Sequence, residues 1–169
     1  MTTLILAVWV AVLSPPGIQK FEQVNKHLYR GCQPADQGFR ALAKVGIRTV
    51  VDLRDRAAQS HWEKQVVESF GMRFVAVPMN MHSPTDGEMA HILSLLNASE
   101  DWPVFVHCEG GRDRTGTVIA CYRIAHDGWD NQKAYDEARQ HGLSTLDIGL
   151  RRYIVNYKNP SPPVTTLVK

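Results

Sequence analysis

The order of apolar runs along the chain predicts an α/β fold, a mostly parallel central sheet flanked by helices. Three observations carry that expectation. Short apolar runs, Ile47 to Leu53, Met72 to Val77 and Val104-Phe105-Val106, have the length and content of buried strands. Segments with helical spacing of apolar residues lie between and after them, and alternation of this kind builds parallel sheets. Gly46 and Gly71 stand where the first two helical segments stop, as helix-ending glycines do.

Taken in order, a short extended piece lies around His27-Leu28-Tyr29-Arg30. Phe39, Leu42 and Ala43 recur at helical spacing before Gly46, and a polar helix runs from about Ser60 to Phe70 before Gly71. Thr85 with Glu88 three residues on forms a capping box, after which Met89, Ile92, Leu93 and Leu96 fall on one helical face. Behind the third strand come a glycine-rich turn, a helix carrying Val118, Tyr122 and Ala125, and a short helix near Ala134 and Ala138. A last helix places Leu143, Leu146, Leu150 and Ile154 in register. Ligands in such folds sit beyond the carboxyl ends of the strands.

Length and composition bound the rest. A chain of 169 residues with 44% apolar and 21% charged residues is the size and make-up of one soluble domain. Nineteen basic against seventeen acidic residues give a net charge of +2, too little for an electrostatic footprint on nucleic acid or an anionic membrane. Any anion preference must therefore be local. Cys32, Cys108 and Cys121 have neither paired metal-ligand spacing nor the density of a disulfide scaffold, and they leave the redox compartment open.

Residues 1–18 differ from this profile, because Leu4 to Leu13 is a nearly unbroken apolar run that ends in Ser14-Pro15-Pro16-Gly17. Its ten residues cannot cross a bilayer as a helix. They fit the apolar part of a signal peptide, although no positive charge precedes them, and imply a secreted or periplasmic protein. The alternative is a buried N-terminal strand of a cytoplasmic protein, since Val8, Val10 and Val12 are good strand formers. Residues 19–158 are the expected domain, with its folded part from about Phe21 to Tyr157, and residues 159–169 are a tail rich in proline from Pro160 to Pro163.

The chemistry is concentrated in Val104-Phe105-Val106-His107-Cys108-Glu109-Gly110-Gly111-Arg112-Asp113-Arg114-Thr115-Gly116-Thr117, a cysteine at the end of a strand followed by a turn into a helix. Gly110 and Gly111 let the backbone curl so that successive N–H groups point inward, and the start of a helix near Arg114 adds its positive dipole end. Glu109, Gly110, Gly111, Arg112, Asp113 and Arg114 are the expected phosphate-binding stretch. Arg114 can close it with a planar fork that matches phosphate oxygens and a phosphoryl transition state. The same positive surroundings favour the thiolate of Cys108, a ready nucleophile. Thr115 can offer its hydroxyl to the sulfur, and His107 can orient the loop.

This His-Cys-x5-Arg-Thr-Gly pattern resembles the signature of the protein tyrosine phosphatase superfamily. Tyr29-Arg30-Gly31-Cys32-Gln33-Pro34 resembles the opening of its small, dual-specificity-like members, and Val50-Val51-Asp52-Leu53-Arg54 their next strand. The resemblance implies a cysteine-dependent phosphatase fold and hydrolysis of phosphomonoesters through a phosphocysteine intermediate, with no metal and no cofactor. Most of the superfamily take the leaving-group proton from an aspartate on a loop that here reads Pro78-Met79-Asn80-Met81-His82-Ser83-Pro84, without a carboxylate. Asp113 is the first substitute, because Gly-x-Asp-Arg-Thr resembles myotubularin-type and some secreted bacterial phosphatase loops. Asp86, just inside the capped helix, is the second, and His82 is an outsider.

Arg30, Arg54, Arg56 and Arg112 are expected near the strand ends, where several cations would suit a substrate with more than one phosphate. The Cys-Glu-x-Gly opening resembles that of phytases of this fold. The partner implied is a phosphorylated substrate, either a phosphoprotein such as a phosphotyrosine protein or an inositol polyphosphate. Two other classes stay open, a phosphate-binding module without turnover and a thiol redox protein, the latter weakened by the lack of a Cys-x-x-Cys pair.

Overall fold

The computed structural model describes residues 15–80 and 83–159. The run from Leu4 to Leu13, the prolines from Pro160 to Pro163, and His82 lie outside the described residues. In chain order the elements are β1 (Glu22–Asn25), β2 (Leu28–Gly31), α1 (Asp36–Lys44), β3 (Thr49–Asp52), α2 (Ala57–Ser69), β4 (Arg73–Ala76), α3 (Asp86–Asn97), a single 3-10 turn (Ser99–Asp101), β5 (Val104–His107), α4 (Asp113–Ala125), α5 (Asn131–Gln140) and α6 (Ile148–Asn156).

The strands form one sheet in the order β1-β2-β5-β3-β4, antiparallel between β1 and β2 and parallel elsewhere. Gly31 pairs with His107, His107 with Asp52, and Asp52 with Ala76, so the parallel strands end together at one edge. The residues that follow each strand are thereby delivered to one place. Along β5 the side chains alternate between two cores, Val104 and Val106 into one and Phe105 into the other. The first core is filled from α3, α4, α5 and α6, the second from α1 and α2. Helix α4 is buried on every side from Arg114 to Tyr122, which fixes its first turn firmly behind the loop.

The capping box forms as expected, with Glu88 N–H donating to Thr85 Oγ1 at 3.2 Å and Thr85 N–H to Glu88 at 2.6 Å. Two expectations need correction. The last helix starts at Ile148, because the Asp147 side chain caps it by accepting from Leu150 N–H at 3.1 Å. Leu143 is buried in the preceding turn, but Leu146 is 88% exposed and joins no helical face. Strand β1, which pairs with β2 as a hairpin, has no counterpart among the expected elements. Before it, Ile18 is 3% exposed in the second core, and Gly17 and Gln19 carbonyls accept from Ala35 and Cys32 amides. Packing therefore starts ahead of residue 19. Among the described residues no helix is long and apolar enough to cross a membrane.

Candidate active site

Cys108 is the first residue past β5 and is 3% exposed. The loop from Cys108 to Arg112 then turns into α4. Its carbonyls are all held by donors outside the loop's hollow. His107 Nδ1 lies 3.2 Å from the Cys108 oxygen, Gln33 N–H donates to Glu109 O at 3.1 Å, Cys32 Sγ–H to Gly110 O at 3.1 Å, and Arg30 Nη2 to Gly111 O at 3.1 Å. A trans peptide sets its N–H opposite its C=O, so anchoring these carbonyls outward turns the amides inward. Among the described residues no N–H from Glu109 to Thr115 donates to another part of the chain. The result is a ring of amides at a helix N-terminus, an anion nest beside the Cys108 sulfur.

Gly111 makes the curl possible. Its φ is +62°, and a Cβ there would stand 2.6 Å from the carbonyl carbon and oxygen of Gly31, which are backbone and cannot swing away. Arg114, in the first turn of α4, is 8% exposed, with Nη1 3.4 Å from Leu53 O and 3.5 Å from Asp55 Oδ1. These are long contacts, and its buried Nε has no protein partner. A guanidinium so placed keeps donor capacity for an oxyanion. The Thr115 hydroxyl is buried and likewise has no protein partner.

Arg54 is a correction. Rather than facing a phosphate, its Nε and Nη2 donate to the two Asp52 oxygens at 2.9 Å each, and Nη2 also binds Glu63. Arg54 is 5% exposed and both carboxylates are fully buried, so the pairing satisfies charges that could not otherwise stay inside. Burial alone would push the Asp52 carboxyl up, but the hydrogen bonds and charge of Arg54 hold it below the usual carboxylate range. Arg54 in turn is raised by Asp52 and Glu63 against the lowering effect of burial.

Glu63 is the hub that sequence reasoning missed. Besides Arg54 it accepts from Gln33 Nε2 at 2.9 Å and binds His107 Nε2 at 2.9 Å. His107 thus ties α2 to the carbonyl of Cys108. Arg30 is also a brace; it is 2% exposed, beneath Gly111, and burial lowers its guanidinium from the ordinary value. The signals available were Gln33 and Asp52 inside the motifs already singled out, and a glutamate in a helix otherwise read as polar.

The structure separates the two aspartates. Asp113 opens α4, half-buried, with Oδ1 accepting from Ser144 N–H at 2.8 Å and Oδ2 without a hydrogen bond among the described residues. It braces neither Arg112 nor Arg114. Asp86 accepts from Tyr153 O–H at 3.1 Å, which links α3 to α6, and makes no bond to the loop. Glu109 and Arg112 are exposed at the rim, the former with Oε2 3.4 Å from Arg56 Nη1. Cys121 lies in the core, where burial pushes its thiol well above the ordinary value. Among the described residues no cluster of His, Cys, Asp and Glu has the makings of a metal site.

Residues 4–150 match the family model described as DSP-PTPase phosphatase fused to NAD+ kinase. The dual specificity protein phosphatase TpbA of Pseudomonas aeruginosa strain UCBPP-PA14 is 35% identical over 129 residues, which is 74% of this chain and 56% of TpbA. This chain thus spans little more than half the length of that relative. OCA1 of Kluyveromyces lactis is 30% identical over 146 residues, 78% of this chain and 68% of OCA1. The crystal structure of P. aeruginosa TpbA superposes with a TM-score of 0.70 at 26% identity, covering 83% of this chain and 90% of that one. A second TpbA structure, in complex with pTyr, superposes with a TM-score of 0.62 at 26% identity, covering 85% and 98%. An amide-lined loop that carries a cysteine at the carboxyl edge of the sheet, together with these matches, places the chain in the protein tyrosine phosphatase superfamily, among its dual-specificity-type members.

Proposed function

We propose that this chain hydrolyses phosphomonoesters by double displacement at Cys108. The observation that carries the proposal is the polarity of the loop, with its carbonyls anchored outward and its amides turned in around the end of β5. A phosphate dianion in that ring meets N–H dipoles and the Arg114 fork, both of which strengthen as charge builds on the equatorial oxygens. The Cys108 thiolate attacks phosphorus, an S–P bond forms, and the ester P–O bond breaks. Asp113 gives its proton to the departing oxygen. Water then attacks phosphorus, Asp113 takes back a proton, the S–P bond breaks, and orthophosphate leaves with the thiolate restored.

Asp113 suits that role because one oxygen is fixed by Ser144 and the other is left available at the loop's edge. The substrate is a phosphorylated molecule, a phosphoprotein or an inositol polyphosphate, and the TpbA complex with pTyr supports an aryl phosphate as one acceptable form. In this proposal Leu4 to Leu13 act as an export signal, which sequencing the N-terminus of the recovered protein tests. The catalytic proposal is tested with p-nitrophenyl phosphate. Wild type should turn it over and Cys108→Ser should not, while orthophosphate binding persists in the variant. A chain that binds orthophosphate without any turnover is a binding module of the same fold.

A further inference from the structure

A hollow of about 860 Å³ opens beside the loop, lined among others by Gln19, Lys20, Cys32, Gln33, Glu109 and Arg112. It borders the loop, since Gly110 also lines it. Two cations stand over it. Lys20 and Arg112 are both exposed, and neither makes an ion pair among the described residues. Their side chains are neighbours, because a Cβ at Gly142 would lie 3.2 Å from Arg112 Cδ and 3.5 Å from Lys20 Nζ, while one at Gly110 would lie 3.3 Å from Arg112 Nε, and both cations act on the Cys32 thiol in the wall of the hollow. Leaving two like charges together and unanswered is unfavourable unless an anion comes between them.

The backbone at Lys20 points the same way. It is the one non-glycine residue with positive φ among the described residues, at +53°, a region that side chains with a Cβ enter seldom. Its neighbours hold it there. The Gln19 carbonyl accepts from Cys32 N–H at 2.9 Å, and the Phe21 ring stacks on Tyr29 and Phe105 at 5.6 and 6.0 Å. The side chain is therefore presented from a fixed base rather than from a loose terminus. Glu109 at the same rim is balanced by Arg56.

We infer that Lys20 and Arg112 form a second anion subsite, which holds another phosphate of the same substrate while the nest holds the one to be cleaved. The inference rests on the phosphatase proposal above and narrows it to substrates carrying at least two phosphates on a small scaffold. The subsite determines specificity and is separate from the reacting atoms.

The test is calorimetric titration of the full chain carrying Cys108→Ser, so that the ligand is not consumed, with inositol hexakisphosphate and with orthophosphate. Hexakisphosphate should bind at least about tenfold tighter than orthophosphate, the yield of one added charge-assisted contact. Lys20→Gln should remove most of that advantage while moving orthophosphate less than about twofold, and Lys20→Arg should restore it. Equal affinity of the two ligands, or the same loss for both in Lys20→Gln, overturns the subsite. Failure of the wild type to hydrolyse p-nitrophenyl phosphate would instead overturn the proposed activity, and the two failures are told apart by these separate readouts.

Discussion

Replacing Glu63 by alanine removes the partner of Arg54 Nη2 and His107 Nε2, both buried, and of the half-buried Gln33 Nε2. Arg54 keeps Asp52 but loses one of its two carboxylates, and His107 keeps only its 3.2 Å contact to the Cys108 carbonyl. Breaking a buried ion pair from one side costs about 3–5 kcal/mol, because the remaining charge stays in a poorly solvating interior. For a domain of this size about 2–4 °C of melting temperature goes with each kcal/mol, so Glu63→Ala should melt about 6–20 °C below wild type. Glu63→Gln should lie between them, since the amide keeps an acceptor but places donors against donors. Far-UV circular dichroism melts at neutral pH measure this, with p-nitrophenyl phosphate kinetics taken well below the transition. There kcat should fall more than KM changes, because the His107 tether positions the nucleophile. A melting temperature within about 2 °C of wild type would refute the role of Glu63 as hub.

Asp113→Asn should lower kcat about 100-fold on alkyl phosphates and less on p-nitrophenyl phosphate, whose leaving group needs little protonation; a flat response across leaving groups moves the proton transfer elsewhere. Gly111→Ala forces a Cβ into the Gly31 carbonyl at a φ of +62°, and should cost about 2–4 kcal/mol from left-handed strain and overpacking. Urea melts and orthophosphate titration should both report it, and wild-type values in both would contradict the close approach. Asp52 has its folded carboxyl held below the ordinary value of 3.8, so its stabilisation is complete above that pH and is lost as pH falls through the lower folded value. Urea melts from about pH 6 to about pH 2 should show that decline, and Asp52→Asn should be less stable near pH 6 and flatter below it.

The loop was legible because its chemistry is local. A cysteine after an apolar run, two glycines and an arginine at the start of a helix state the nest within a few residues. The capping box at Thr85 and Glu88 was legible for the same reason. Arg54 was misread because an arginine next to a strand end looks available until Glu63, nine residues on, and Asp52 are folded against it. Periodicity cannot show such closure. Strand β1 went unseen because Glu22-Gln23-Val24-Asn25 has no alternation of apolar side chains; it is an edge strand, specified by its pairing with β2. The leucines at 143 and 146 continue the period of the last helix by coincidence, and the Asp147 cap together with the Ser144 bond to Asp113 ends that register. The Lys20 and Arg112 pair joins positions far apart in sequence and had no local signature.

The nucleophile is tested most directly by catching it. Wild-type chain mixed with p-nitrophenyl phosphate and quenched in acid within milliseconds should yield, on digestion and mass spectrometry, one peptide heavier by a single phosphoryl group on Cys108, absent in Cys108→Ser. Turnover at an undiminished rate in Cys108→Ser, or a phosphoryl group found on another side chain, would contradict a mechanism centred on the sulfur at the end of β5.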